Sequence, residues 1–264
     1  IAATRYKLSD YKPYLYRTSD GGRSWQSANG NFPEGEITRV VRADPVRPGL
    51  LFAGTETGVF FTLDDGVTWA RLPGGLPIVP VYDIKIKDTD LVAGTHGRAF
   101  WVLDDLTALR NLPAAGSAAK LLPSRPTVRT RMHFGALGGA RGPVSFQLVF
   151  GIGGGIAHYE KPDGTKVREH LDIGENPPNG AIIWYTLPAD HSGPVALAFR
   201  DAAGKTIASY ASGDSVVPAA KRPSTKPGLN RYIWDMRHPG PAKMDNALAA
   251  PKPKALVADP DNTP

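Results

Sequence analysis

Three observations predict an all-β fold for this chain of 264 residues. The first is its 29 Gly and 25 Pro, too many for a helical protein and suited to short strands joined by tight turns. The second is a run of short stretches rich in β-branched and aromatic residues, each bounded by Gly, Pro or Asp. The third is repetition: TSDGGRSW at 18–25 returns as TLDDGVTW at 62–69, which sets Asp20 and Asp64 44 residues apart. Hydrophobic residues make up 41% of the chain, enough to fill a core in one large or two modest domains.

The repeat defines the first part of the chain, residues 1–112. LLFAGTETGVFFTLDDGVTW (50–69) lies over DLVAGTHGRAFWVLDDL (90–106), with Ala53, Gly54 and Thr55 matching Ala93, Gly94 and Thr95 at a period of 40 residues. A four-stranded propeller blade takes about 40–45 residues. The middle copy divides accordingly into strands at 37–44, 50–55, 58–63 and 69–72. In the first copy, residues 1–4 match 52–55, so the chain is expected to begin inside the second strand of a blade. The missing blades would then come from upstream sequence or another chain. Residues 5–13 are expected to form a long loop to a third strand at 14–18. The third copy has lost the Gly and the Trp over 102–106 and reads as a degenerate last blade.

The repeated stretch falls in the turn between third and fourth strands. There Asp20 and Asp64 can accept hydrogen bonds from turn amides, and Gly22 and Gly66 allow positive φ. Trp25 and Trp69 are expected to pack between neighbouring sheets. These six residues are read as scaffold, and no catalytic residue is assigned. Function is expected at the other end of the strands, where the second-to-third strand loops emerge with residues 5–13. The ligand-binding candidates there are Glu56, His96 and Arg98. A titratable imidazole beside a fixed cation suits a carboxylate or sugar hydroxyls. The alternative is that His96 and Arg98 tie the last blade to its neighbour through Asp83, Asp104 or Asp105. Two carboxylates in a sequence do not make a glycosidase, because their separation decides the chemistry.

After residue 112 the pattern changes. Residues 113–126 are rich in Pro and small side chains and read as a linker. Strands follow at 144–150, 156–160, 166–171, 181–187, 195–200, 205–210 and 229–236, with hairpin turns at 162–164 and 201–204. This pattern predicts an immunoglobulin-like β-sandwich over 127–239. The tail 240–264 is Pro-rich and without apolar periodicity, and is expected to be poorly ordered or to continue into further sequence. His133, His158, His170, His191 and His238 lack ligand spacing, so no metal site is predicted, although loop carboxylates leave Ca2+ open as a cofactor. The glycines of 151–155 precede no helix, against a phosphate loop.

Composition narrows the partners. The formal net charge is +6, but the basic residues are scattered rather than striped, against nucleic acid. There is no Cys, which removes disulfides and thiol chemistry. No apolar run approaches the roughly 18 residues of a membrane span. The chain begins at Ile1 without a signal peptide, so any targeting segment is expected upstream.

The pattern T/S-x-D-x-G-x-T/S-W resembles the Asp-box, or BNR repeat, of sialidases, xyloglucan hydrolases, sortilin-type receptors and photosystem assembly factors. With PYLYRTSDGGRSW, GTHGRAFWVLDD, NPPNGAIIWYTLP and GLNRYIWDMRHP, the chain resembles large bacterial BNR-repeat proteins of sortilin-like or glycosyl-hydrolase type. The resemblance runs to Pro239, and a PG-x-Y closing strand is lacking. It implies the C-terminal part of an Asp-box β-propeller followed by an immunoglobulin-like β-sandwich, with Trp234 in the sandwich core and Asp235 and Arg237 fixing the next turn. It also implies that the Asp-boxes lie away from the active face. The function it implies is an extracellular or periplasmic binding module for a protein or glycan ligand. The alternative is a fragment of a glycoside hydrolase whose catalytic residues lie on absent blades.

Overall fold

The computed structural model describes residues 1–113, 116–128, 144–148, 155–161, 166–171, 178, 180–215, 217 and 219–237. His133, His238, the glycines 151–154, the turn 162–164 and the tail 240–264 lie outside the described residues. The chain is predominantly β, in several small antiparallel sheets. The described residues fall into two compact units, those within 1–193 with 224–235, and those within 194–223 with 236–237.

The first unit begins with three sheets. The first contains β1 (Ala2–Arg5), β2 (Asp10–Arg17) and β3 (Gln26–Ser27), in that order. The long loop expected over 5–13 is instead a tight connection. A 3-10 turn at Tyr6–Leu8 is closed by Ser9, whose N–H donates to the Tyr6 carbonyl at 3.0 Å with φ 58°. Pairing then resumes at once, Arg5 against Asp10 and Ala2 against Leu15. Pro13 within β2 has no N–H to give to the ladder. The structure accommodates it with a register slip between Ala3 and Arg5.

The second sheet is a four-stranded meander of β4 (Thr38–Ala43), β5 (Leu51–Thr55), β6 (Val59–Thr62) and β7 (Ala70–Arg71). These are the four strands expected of the middle copy, each a residue or two shorter. The third sheet contains only β8 (Val81–Lys87), β9 (Asp90–Thr95) and β10 (Phe100–Leu103), and the chain then enters helix α1 (Thr107–Asn111). Strand β4 lies against β1 and β2 on one side, while β8 lies against β4 and β5 on the other. The second sheet is thus covered on both faces, which is why β5 is buried at four successive positions, Phe52 to Thr55.

Two cores result. Leu15, Phe32, Phe60 and Trp69 pack between the first and second sheets, and Phe52, Val59, Val81, Ile84 and Leu91 between the second and third. Each such side chain contributes about 1.5–3 kcal/mol by burial. The second and third sheets meet closely at Gly54, where a Cβ would stand 2.7 Å from both Val40 Cγ1 and the Val81 carbonyl. Below them, Asp44 accepts the Val46 and Arg47 amides at 2.9 and 2.7 Å and a forked pair from Arg110 Nε and Nη2 at 3.0 and 2.9 Å. This buried ion pair fastens α1 to the turn after β4.

Further on, the segment expected as a linker supplies β11 (Lys120–Leu121). The strands β12 (Val144–Leu148), β13 (Gly155–Glu160) and β14 (Lys166–Leu171) form a sheet in sequence order. Strand β15 (Ala181–Leu187) takes β11 on one edge. In the second unit β16 (Ala196–Arg200) and β17 (Thr206–Ala211) make a hairpin, its turn held by Asp201 Oδ1 accepting the Lys205 amide at 2.9 Å. Strand β18 (Gly228–Trp234), again in the first unit, covers the other edge of β15. Among the described residues no helix is long and apolar enough to cross a membrane.

Candidate functional site

The repeated turns have one wiring. Thr18 Oγ1 donates to Asp20 Oδ1 at 2.8 Å and accepts the Gly22 amide at 2.9 Å, while Asp20 accepts the amides of Arg23 and Ser24, both at 2.9 Å, and the Ser24 hydroxyl at 2.6 Å. In the second copy, Thr62 Oγ1 donates to Asp64 at 2.7 Å and accepts the Gly66 amide at 3.1 Å, and Asp64 accepts the Thr68 amide at 2.8 Å and its hydroxyl. Gly22 at φ 90° and Gly66 at φ 93° occupy a region that only Gly enters freely. The bonds from Ser24 and Thr18 hold the Asp20 carboxyl well below its ordinary value. For Asp64 burial acts upward, and the hydroxyls of Thr68 and Thr62 outweigh it, again lowering the carboxyl. Each carboxylate is spent on its own turn.

The two tryptophans differ. Trp69 is 5% exposed, donates its indole N–H to the Ala28 carbonyl at 2.9 Å and meets the Phe32 ring edge-on at 5.3 Å. Trp25 is 45% exposed and donates to Gly22 within its own turn at 3.1 Å. The expectation that both pack between sheets holds for Trp69 and fails for Trp25. Trp69 buries itself against the sheet preceding its own, and among the described residues the first sheet has a neighbour only on the side of β4.

At the opposite end of the strands the chain assembles a cluster around Arg39. Its guanidinium lies over the Tyr6 ring at 4.6 Å and the Tyr82 ring at 5.0 Å, and it is paired with the Glu56 carboxylate. Tyr82 in turn stacks on the His96 ring at 5.2 Å and 21°. Local geometry explains the convergence. The Glu56 amide donates to the Ile37 carbonyl at 3.2 Å and the His96 amide to the Pro80 carbonyl at 2.9 Å, so each turn is pinned to the residue just before its sheet's first strand. Burial disfavours the Arg39 cation, but Glu56 and Tyr6 outweigh that and raise its pKa, so the charge is permanent. Beside it, Glu36 Oε1 accepts the Thr57 hydroxyl at 2.6 Å, and Glu36 Oε2 is buried with no hydrogen-bond partner among the described residues.

Glu56 and His96 therefore meet across Arg39 and Tyr82. Arg98 sits two residues on in the same exposed turn, where its carbonyl accepts the Trp101 indole N–H at 3.1 Å. Asp83 is engaged by Arg42 at 2.7 Å. Arg39, Tyr82 and Tyr6 were not singled out from the sequence. Arg39 stands in a strand, where a cation reads as a solvent-facing position, and only the packing of three sheets shows that it faces two rings. The carboxyl of Asp104 is raised by burial and by Asp90, but it follows the far end of β10. Among the described residues no three His, Cys, Asp or Glu side chains gather as a metal site. No protein-family model matches the chain, and no curated protein matches it.

Proposed function

We propose that this chain is part of an extracytoplasmic Asp-box β-propeller with an immunoglobulin-like sandwich, and that it is a binding module whose ligand is a glycan. The observation that carries the reading is the Arg39 cluster. The exposed His96 ring, backed by Tyr82, offers its outer face to the C–H side of a sugar ring, while Arg39 and Glu56 beside it present a forked donor and an acceptor to its hydroxyls. Both polar groups are already aligned by each other, so little ordering entropy is lost on binding. The wiring of Asp20 and Asp64 supports the same division of labour, scaffold at one end and recognition at the other.

The test is calorimetric titration with neutral and uronic-acid oligosaccharides. Tyr82→Ala should weaken binding at least about tenfold, the loss of the ring that holds the His96 face and Arg39 in place, with the melting temperature unchanged. Affinity untouched by Tyr82→Ala would remove the site from this cluster. Release of new reducing ends from the same sugars would favour the hydrolase alternative.

A further inference from the structure

The third sheet stops where the second continues. In the second sheet β7 closes the edge of β6, pairing Phe61 with Ala70 and Phe60 with Arg71. The residue just before β7, Trp69, fills a slot walled by Leu15, Ala28, Phe32 and Phe60. The repeat of 44 residues extends beyond the turn, for Leu15, Ala28, Gly30 and Phe32 have Val59, Leu72, Gly74 and Leu76 as counterparts. Trp101 is the counterpart of Phe60, because it pairs with Ala93 as Phe60 pairs with Ala53. The β9–β10 turn is one residue longer than the β5–β6 turn, which shifts the register.

Val59, Leu72, Gly74, Leu76 and Trp101 all line one open cleft. It is the second instance of the slot that Trp69 fills, and among the described residues no indole besides that of Trp101 reaches it, the chain having turned into α1. The outer edge of β10 has no partner strand among the described residues, and Phe100 and Val102 on it are 78% and 51% exposed.

We propose that this cleft and the β10 edge form a docking site for an extended segment of a separate polypeptide, which adds a strand to β10 and places a tryptophan in the cleft. An unpaired edge supplies main-chain partners, and a neighbouring pocket supplies specificity. The Phe100 carbonyl stands where the Val59 carbonyl accepts the Leu72 amide at 2.8 Å. The Leu72 carbonyl stands where that of Ala28 accepts the Trp69 indole, so tryptophan is preferred to phenylalanine. Arg71 lies over Phe60 at 5.6 Å, so a cation two residues after the tryptophan would lie over Trp101. The expected ligand motif is Trp, a small residue, then Arg or Lys. The chain's own Trp25 is held in its turn by Gly22, which favours a separate peptide over a second copy.

The probe is a fluorescent peptide GVTWARL, copied from residues 66–72 and titrated with the whole chain by anisotropy. Saturable binding is expected, several-fold weaker with Phe for Trp and more than tenfold weaker with Ala. Two protein variants, Val102→Pro at the edge and Leu76→Trp filling the cleft, should each weaken it more than tenfold, with circular dichroism confirming that they fold. Tyr82→Ala should leave it unchanged, which separates this site from the Arg39 cluster. Equal binding of the Trp→Ala peptide, or no saturable binding at millimolar peptide, overturns the proposal. So does concentration-dependent dimerisation lost in Val102→Pro, which would seat a second copy on the edge.

Discussion

Trp25 and Trp69 occupy the same place in the same turn, and their surroundings alone separate them. Trp69 has an aromatic neighbour, a carbonyl for its indole and almost no contact with water, whereas Trp25 has its own turn and solvent. Replacing Trp69 by Ala should cost about 3–5 kcal/mol, the loss of a buried aromatic plus the cavity left behind. Replacing Trp25 by Ala should cost under about 1 kcal/mol, as surface changes do. Urea melts of both variants check the difference, and equal losses would mean that the turn, not the packing, carries the effect. Both tryptophans were legible as a repeated motif. Their burial was not, because exposure depends on the neighbouring sheet.

Helix α1 shows how a short element can be held by contacts outside itself. It spans only Thr107–Asn111, with no side-chain cap, too short to be stable by itself. Its anchor is Arg110, whose side chain is 9% exposed and forked onto the fully buried carboxylate of Asp44. Removing one member of such a pair strands the other charge away from water. Arg110→Ala should therefore destabilise by about 3–5 kcal/mol, read by thermal denaturation, while Arg110→Ala with Asp44→Ala should recover part of the loss. A double variant as unstable as the sum of the singles would show that the pair does not couple. The sequence marked this region as a copy that had lost its signature, without showing that a helix replaces the turn. The partners lie 66 residues apart, beyond the reach of any local pattern.

Across the first unit, carboxyls that the fold holds ionised are spread over two sheets. The carboxyls of Asp20, Asp44 and Asp64 are all held below their ordinary value: burial acts upward at Asp44 and Asp64, and hydrogen bonds, with the Arg110 cation at Asp44, outweigh it. A carboxyl lowered by folding stabilises the native state fully above its unfolded pKa and loses that contribution as pH falls through the folded one. Melting temperature should thus be level above about pH 5 and fall progressively as pH drops below about 4. Asp64→Asn should lower the plateau and flatten the acid limb, and an acid limb identical to the wild type would show that this turn does not contribute.

What the sequence determined by itself is local and periodic. The β-rich stretches of 37–44, 50–55, 181–187 and 229–236 and the turn chemistry of Asp64 with Gly66 each place a strand or turn within a residue or two. Those signals arise from β propensity and turn chemistry, which a short window contains. Only the tertiary structure decided which side chains share a space. The seating of Arg39 between Tyr6 and Tyr82, the meeting of Glu56 with His96 around it, the strand within 113–126 and the open slot beside Trp101 all require distant segments to be packed together. Such contacts are set by how one sheet stacks on the next, and stacking is a property of whole surfaces rather than of any stretch of chain.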